Sequence, residues 1–192
     1  CADLSAMSRV SDKAIRVGFT TAFEQGRFTA IEQILREFFP EGLALSRQTS
    51  PRLVREVEQG RLDLALVAMP LETRGLENAT LGYEEPLVLA LPAVWTVADK
   101  KRLSLRDLND RALFWFRRDA NPAYDDYCKA VFTQARFMPR MREEPVEHDV
   151  LLGRSAAGEA AGLFAASFSA IRGEGGVFKN FAESGLLRIR RG

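Results

Sequence analysis

The sequence predicts an α/β protein built as two doubly wound lobes joined by a hinge, and three observations carry that expectation. Segments with strand character alternate with segments of helical period along the chain. Residues 62–67 are almost wholly apolar, as expected of a parallel strand buried on both faces. After Glu84-Glu85-Pro86 the strand–helix theme starts again, which places a second lobe there and a hinge near Glu85.

The first lobe opens with the β-rich run Ile15-Arg16-Val17-Gly18-Phe19, broken by Thr20-Thr21. Phe28, Ile31, Leu35 and Phe38 recur at three- and four-residue spacing, one face of a helix that Pro40 and Gly42 close. Residues 43–48 read as a second strand. Ser50-Pro51 supplies a cap residue with proline at the first helical position. The helix that follows turns Leu53, Val54 and Val57 inward and stops at Gly60, ahead of the strand over 62–67. Such a βαβαβ unit is one half of a doubly wound sheet.

In the second lobe a strand spans 87–91, a short capped helix 104–108 and a strand 113–116. Asn121-Pro122 opens a helix that turns Tyr124, Cys128, Val131 and Phe132 inward. A strand over 140–143, a long helix over 146–157 and a strand over 162–165 complete the pattern. The glycine-rich run Gly173-Glu174-Gly175-Gly176 follows a helix and reads as a turn, not as a phosphate loop. Boundaries follow: residues 1–14 as the end of a linker, 15–85 as the first lobe, 86–188 as the second, and 189–192 as the start of a return to the first.

Composition narrows the function classes. The 192 residues are 46% hydrophobic and 28% charged, an ordinary globular balance. Lys and Arg total 27 against 26 Asp and Glu, which argues against direct binding of nucleic acid, since phosphate recognition needs a basic surplus. Arg188, Arg190 and Arg191 are a weak exception, read as a strand with solvent-facing arginines. Two cysteines, one of them Cys1, make no disulfide framework and suit a reducing cytoplasm. No apolar run approaches the ~20 residues that span a bilayer, and no charged-then-apolar signal opens the chain.

Several motifs occur in a fixed order. They are the strand 15–19, the helix ending Phe38-Phe39-Pro40, Leu53 with Val57, and Gly60-Arg61-Leu62-Asp63-Leu64-Ala65. After them come Glu85-Pro86-Leu87-Val88-Leu89-Ala90-Leu91-Pro92, Leu105-Arg106-Asp107-Leu108, and Ala156-Ala157-Gly158-Glu159. In this order and spacing they resemble the effector-binding domain of LysR-type transcriptional regulators, over residues 15–191. The chain departs from the family pattern at Trp95-Thr96, where a His-Pro pair is usual, and at Leu163-Phe164-Ala165, where "LVP" is usual. The resemblance implies a periplasmic-binding-protein type 2 fold, two Rossmann-like lobes with a hinge. It also implies a winged helix-turn-helix and linker helix upstream of Cys1. Beyond Gly192 it implies a further strand and helix returning to the first lobe, so the domain reads as truncated at its C-terminus.

Candidate site residues follow from physics first. In open α/β sheets ligands bind beyond the carboxyl ends of strands, where helix N-termini favour anions. Thr20 and Thr21 precede the first helix, and Thr49 and Ser50 the second. One hydroxyl of each pair is expected to cap its helix, and the other is open to a ligand or to solvent. In the family, the position of Ser50 commonly holds a hydroxyl that meets the effector; that of Ala22 is often Ser, and its loss shifts weight to Thr21. From the second lobe, Arg117 and Arg118 sit in a loop that the family turns toward the cleft, where an arginine can hold a carboxylate bidentately. The alternative is a solvated surface arginine paired with Asp119, and Arg117, nearer the strand end, is the better candidate. His148, the single histidine, is either a helix-surface or capping residue or an effector contact.

Nothing in the sequence makes an enzyme. A nucleophile needs a base, and one histidine offers a single choice; there is no Gly-x-Ser-x-Gly, P-loop or His-Glu-x-x-His. One histidine without neighbouring Cys or His makes no metal site, and no cofactor is implied. The 13 phenylalanines suit a core first and an aromatic-lined pocket second. The favoured reading is a cytoplasmic sensor that binds an aromatic or carboxylated metabolite between its lobes. It would touch DNA only through the upstream winged helix-turn-helix, and the resemblance implies a homodimer or homotetramer away from membranes. In such an assembly helix 28–38 packs against helix 122–135 of another subunit. The rival readings are a solute-binding protein of a transporter and a small α/β enzyme.

Overall fold

The computed structural model describes residues 14–170 and 176–191. Cys1, nearly all of the linker expected over 1–14, and Gly173 to Gly175 of the expected turn lie outside the described residues.

In the first lobe, strand β1 (Ile15–Thr20) is the centre of a parallel three-stranded sheet between β2 (Leu43–Gln48) and β3 (Leu64–Leu66). Helix α2 (Ser50–Glu58) buries Leu53 and Val54 on this sheet. It lies so close that a Cβ on Gly18 would stand 2.3 Å from Leu53 Cδ2 and 2.7 Å from Leu62 Cδ1, so a larger residue at that position of β1 would force both leucines to move. Gly60, at φ +67°, turns the chain out of the helix as expected of a left-handed stop. Asp63 explains its place in the motif: it accepts the backbone N–H of Arg16 at 2.9 Å and its guanidinium at 2.8 and 3.0 Å, fastening β3 to β1.

Three expectations for this lobe are corrected. Strand β3 is not buried on both faces; it is the sheet edge, with Leu64 47% exposed beside an apolar groove of about 400 Å³. Helix α1 (Thr29–Phe38) buries no residue fully, and Phe38, expected inward, is 67% exposed. Phe28, which precedes α1 in a 3-10 turn, is the buried anchor, 4.9 Å from Phe19 between ring centres. Finally, neither hydroxyl pair caps a helix. Glu24 caps that turn, accepting the Gly26 N–H at 2.7 Å, and α2 starts from Thr49 without a side-chain cap.

Strand β5 (Glu84–Pro92) is the spine of the second lobe, antiparallel to β8 (Gly162–Ala165) and to β9 (Gly176–Lys179). Strand β6 (Ala112–Trp115) runs parallel to β7 (Arg140–Glu143). It is stitched to the β8 side through Ala161, which accepts from Phe114 N–H at 2.8 Å and donates to Ala112 at 2.9 Å. Asn121 caps helix α3 (Pro122–Gln134) by accepting the Tyr124 N–H, and Cys128, Val131 and Phe132 are buried as their spacing predicts. Helix α4 (His148–Ala156) starts two residues later than expected. The residues expected as a capped helix at 104–108 form a 3-10 turn, with Asp107 accepting the Ser104 N–H.

The lobes meet along short strands invisible to periodicity. Strand β10 (Arg188–Arg191) lies antiparallel between the start of β5 and the two-residue β4 (Ala68–Met69). At Glu85, where the hinge is expected, β5 runs unbroken, and Glu85 is 3% exposed. Its carboxylate accepts from Ser167 N–H at 2.7 Å and Tyr83 hydroxyl at 2.5 Å, and pairs with Arg27 of the first lobe at 3.4 Å. Ser167 in turn accepts the Glu24 N–H at 3.3 Å, so both lobes hold this polar cluster. Apolar packing is equally shared: Phe19, Phe23 and Phe28 belong to one core with Leu87, Leu89, Phe164 and Leu187.

Candidate effector site

The carboxyl ends of β1, β6 and β7 face one cleft of about 240 Å³ between the lobes, the position where open sheets collect ligands. Its back is formed by the crossing strands, through Ala68, Met69, Leu87 and Ile189.

The first-lobe wall carries hydroxyls. Thr20, Thr21, Thr49 and Ser50 all line the cleft. Thr20, fully buried at the end of β1, accepts the Ala22 N–H at 3.1 Å. Ser50, at the start of α2, accepts the Ala68 N–H at 2.9 Å, and the two hydroxyl oxygens are 2.7 Å apart. Only one hydroxyl proton can serve the bond between them, so the second has no acceptor among the described residues. Thr20, not Thr21, is therefore the partner of Ser50, and the pair presents one donor.

The second-lobe wall is aromatic. Phe114, Trp115 and Phe116 leave β6, with Trp115 fixed by its indole N–H donating to the buried Asp125 at 2.7 Å. Phe116 stacks on Tyr124 at 5.8 Å and 18° between planes. His148 lines the cleft from the start of α4, its ring set edge-on to Phe168 at 4.8 Å and Phe164 at 5.8 Å. Burial, with help from the nearby Arg47 charge, holds the imidazole below its ordinary pKa, so it is a neutral ring at neutral pH. Burial likewise pushes the Tyr124 phenol well up, keeping it protonated.

Arg117 and Arg118 do not belong to this wall. Arg117 is 70% exposed and pairs with Asp119 at 2.6 Å; Arg118 pairs with Asp126 at 2.9 Å. The reason is local. A carboxylate two residues along (Asp119) and another eight along (Asp126) meet each guanidinium before it can reach across the loop. Arg47 on β2, half-buried, instead stands behind the first-lobe wall, donating to Phe23 O at 3.0 Å and to Thr20 O at 3.4 Å, and its charge reaches the cleft residue His148.

The residue that sequence reasoning missed is Glu144. It lines the cleft directly after β7, and burial pushes its carboxyl up to about 7. No hydrogen bond or ion pair engages that carboxyl among the described residues; only its backbone N–H is used, donating to Trp115 O at 3.2 Å. The signal was available, because Glu144 is the first residue beyond the carboxyl end of a strand.

Comparison with known proteins gives one consistent result. Residues 8–183 match the model of the family described as the LysR substrate binding domain. The chain is 27% identical over 144 residues to the HTH-type transcriptional regulator AlsR of Bacillus subtilis (strain 168), covering 74% of this chain and 47% of AlsR. It is 29% identical over 147 residues to the HTH-type transcriptional regulator TtuA of Agrobacterium vitis, covering 75% and 48%. The chain thus spans about half the length of these relatives. Among solved structures it is similar to the effector binding domain of a BenM variant, with TM-score 0.76, 21% identity, and 93% and 83% of the two chains covered. The effector binding domain of QuiR in complex with shikimate superposes with TM-score 0.75 at 13% identity, over 94% and 87%.

Proposed function

Because this chain belongs to the LysR substrate-binding-domain family, we propose that its interlobe cleft binds a small effector and that it is the sensing half of a transcriptional regulator. The observation that carries the reading is one cleft lined from both lobes and backed by the strands that join them. A ligand shifts an equilibrium only through contacts that differ between states. A molecule touching the Thr20–Ser50 wall and the Phe116–Tyr124 wall together makes such contacts when the lobes change orientation.

The aromatic second wall suits a planar apolar body, and the spare hydroxyl proton with Arg47 behind it suits an acceptor group such as a carboxylate. An aromatic or carboxylated metabolite meets both. Thr20, Thr21, Thr49, Ser50 and His148 are its proposed contacts; Arg117 and Arg118 are not. On this reading the chain is a cytoplasmic binding module and not an enzyme. It reaches DNA through a winged helix-turn-helix and works as a homodimer or homotetramer, with the exposed apolar face of α1, Ile34 and Phe38, at a subunit interface. The transporter reading is less favoured, since the relatives named above are transcriptional regulators. Among the described residues no helix is long and apolar enough to cross a membrane.

The test is a thermal-shift and calorimetric titration with a panel of small aromatic carboxylates, benzoate included, on the wild type and on Ala120→Trp. Ala120 lines the cleft from an exposed position, so tryptophan obstructs the cleft without entering the core. Stabilisation of the wild type but not of the plugged variant supports the reading. No stabilisation, or stabilisation that survives the plug, overturns it.

A further inference from the structure

We infer that Glu144 is a specificity residue: it selects effectors that carry a hydrogen-bond donor, a hydroxyl or an amine, at the end opposite their acceptor group. The inference rests on the effector reading of the cleft and adds the chemistry of the second pole.

The two walls are not equivalent. The first offers a donor, the spare proton of the Thr20–Ser50 pair, with the Arg47 guanidinium behind it. The second offers an acceptor, the Glu144 carboxyl, which no described side chain engages. Glu144 is partly exposed within the cleft, so its carboxyl keeps water there, and a ligand that displaces that water must supply a donor in its place. The groups packed around it do not supply one. The Tyr124 phenol lies within electrostatic reach of Glu144, but no hydrogen bond joins the two. His148 is held neutral on α4, and Arg117 is engaged with Asp119 at the surface. A ligand filling the cleft is the group positioned to supply that donor.

A carboxyl with its pKa pushed up to about 7 by burial also reads the ligand in a graded way. A hydroxyl or amine donates to its ionised form and favours it. A second carboxylate on the effector at this end would need Glu144 to keep its proton. Monoanions with a distal hydroxyl or amine are accordingly preferred over dianions and over molecules with a bare apolar end.

The experiment compares benzoate with the three monohydroxybenzoate isomers by calorimetry on the wild type, Glu144→Leu and Glu144→Gln. At least one isomer should bind the wild type about tenfold more tightly than benzoate, the scale of one hydrogen bond to a charged group. In Glu144→Leu that ratio should fall to about one. Glu144→Gln keeps the shape and a neutral acceptor, and should give an intermediate ratio; if Glu144→Leu does not fold, a drop in Glu144→Gln decides in favour. A preference that persists in both variants overturns the inference and leaves the effector reading standing, as does equal binding of all four acids by the wild type. Failure of all four to bind at millimolar concentration overturns the reading of the cleft as an aromatic-carboxylate site, and this inference with it.

Discussion

Thr20 Oγ1 and Ser50 Oγ stand 2.7 Å apart in the interior, joining the end of the central strand to the first turn of α2. Each oxygen also accepts a backbone N–H, from Ala22 and Ala68 respectively, so the pair fixes the loop after β1 and the start of β4 at once. Ser50→Ala strands a buried N–H and a buried hydroxyl together. Its cost should be about 1–3 kcal/mol in urea denaturation. Thr20→Val combined with Ser50→Ala should cost less than the sum of the single changes, because the two share one bond. An additive double-mutant cycle would show that the hydroxyls act independently.

His148 is the single histidine, so its resonances need no assignment. Arg47 helps to hold its pKa down, second to burial. Arg47→Leu should therefore raise the His148 pKa in an NMR titration without returning it to the ordinary value. Arg117→Ala, acting on an exposed, solvent-screened pair, should leave both that pKa and the stability nearly unmoved.

Glu144 and His148 make opposite contributions to stability against pH. The Glu144 carboxyl is raised from 4.5 to about 7, so its contribution is full below pH 4.5 and is lost as pH rises through 7. That loss is at most about 3 kcal/mol, at roughly 1.4 kcal/mol for each pKa unit. His148 is lowered from 6.5, so its contribution is full above that pH and is lost as pH falls toward its folded value. Glu144→Gln should flatten the decline toward pH 7, and His148→Phe the loss on the acid side, in denaturation curves taken from pH 5 to 8. Unchanged profiles in both variants would show that neither group titrates differently on folding.

Cys128 is buried, and burial pushes its thiol up to about 12. A thiolate is the reactive form, so a Cys1→Ser chain should resist maleimide while folded and react freely in denaturant. Rapid labelling of the folded chain would reveal an opening of α3.

Glu85 accepts from Ser167 and Tyr83 and pairs with Arg27 across the lobes. Glu85→Ala removes one acceptor from several donors and should cost about 2–4 kcal/mol. Hydrogen exchange should speed up at Ser167 and along the start of β5 before it does in the three-stranded sheet. Uniform acceleration across both lobes would mean that the cluster stabilises the whole protein and not the junction.

The parts of this fold legible in the sequence are those set by local pattern. The buried face of α2, its stop at Gly60 and the Asn121 cap of α3 each depend on residues within one helix. Strands β4 and β10 are defined by partners far along the chain, and two apolar or alternating residues carry no period to detect. The expected burial of 62–67 failed because apolar residues do not say whether a neighbour covers them. In the site, the hydroxyl wall followed from the rule of strand ends. Arg117 stands at the surface because Asp119, two residues away, meets its guanidinium before it can reach across the cleft. Glu144 was overlooked because lone acidic residues are abundant and only burial makes this one unusual.

The pairing of Arg188 with Pro86 has a further, modular consequence. The chain leaves for the second lobe and comes back from it at two positions that face each other in one ribbon. Topologically the intervening 101 residues, 87–187, are a loop insertion, however large and well packed. Nothing in the β-sheet of the first lobe has to be cut to exchange them. Transplanting 87–187 between relatives thus needs two joints side by side and should graft one recognition wall onto a foreign partner, leaving the Thr20–Ser50 wall of the recipient in place. Diversification of ligand preference then leaves the first-lobe sheet uncut, provided that the new cassette matches the core shared with Phe19, Phe23 and Phe28 and the contacts around Glu85.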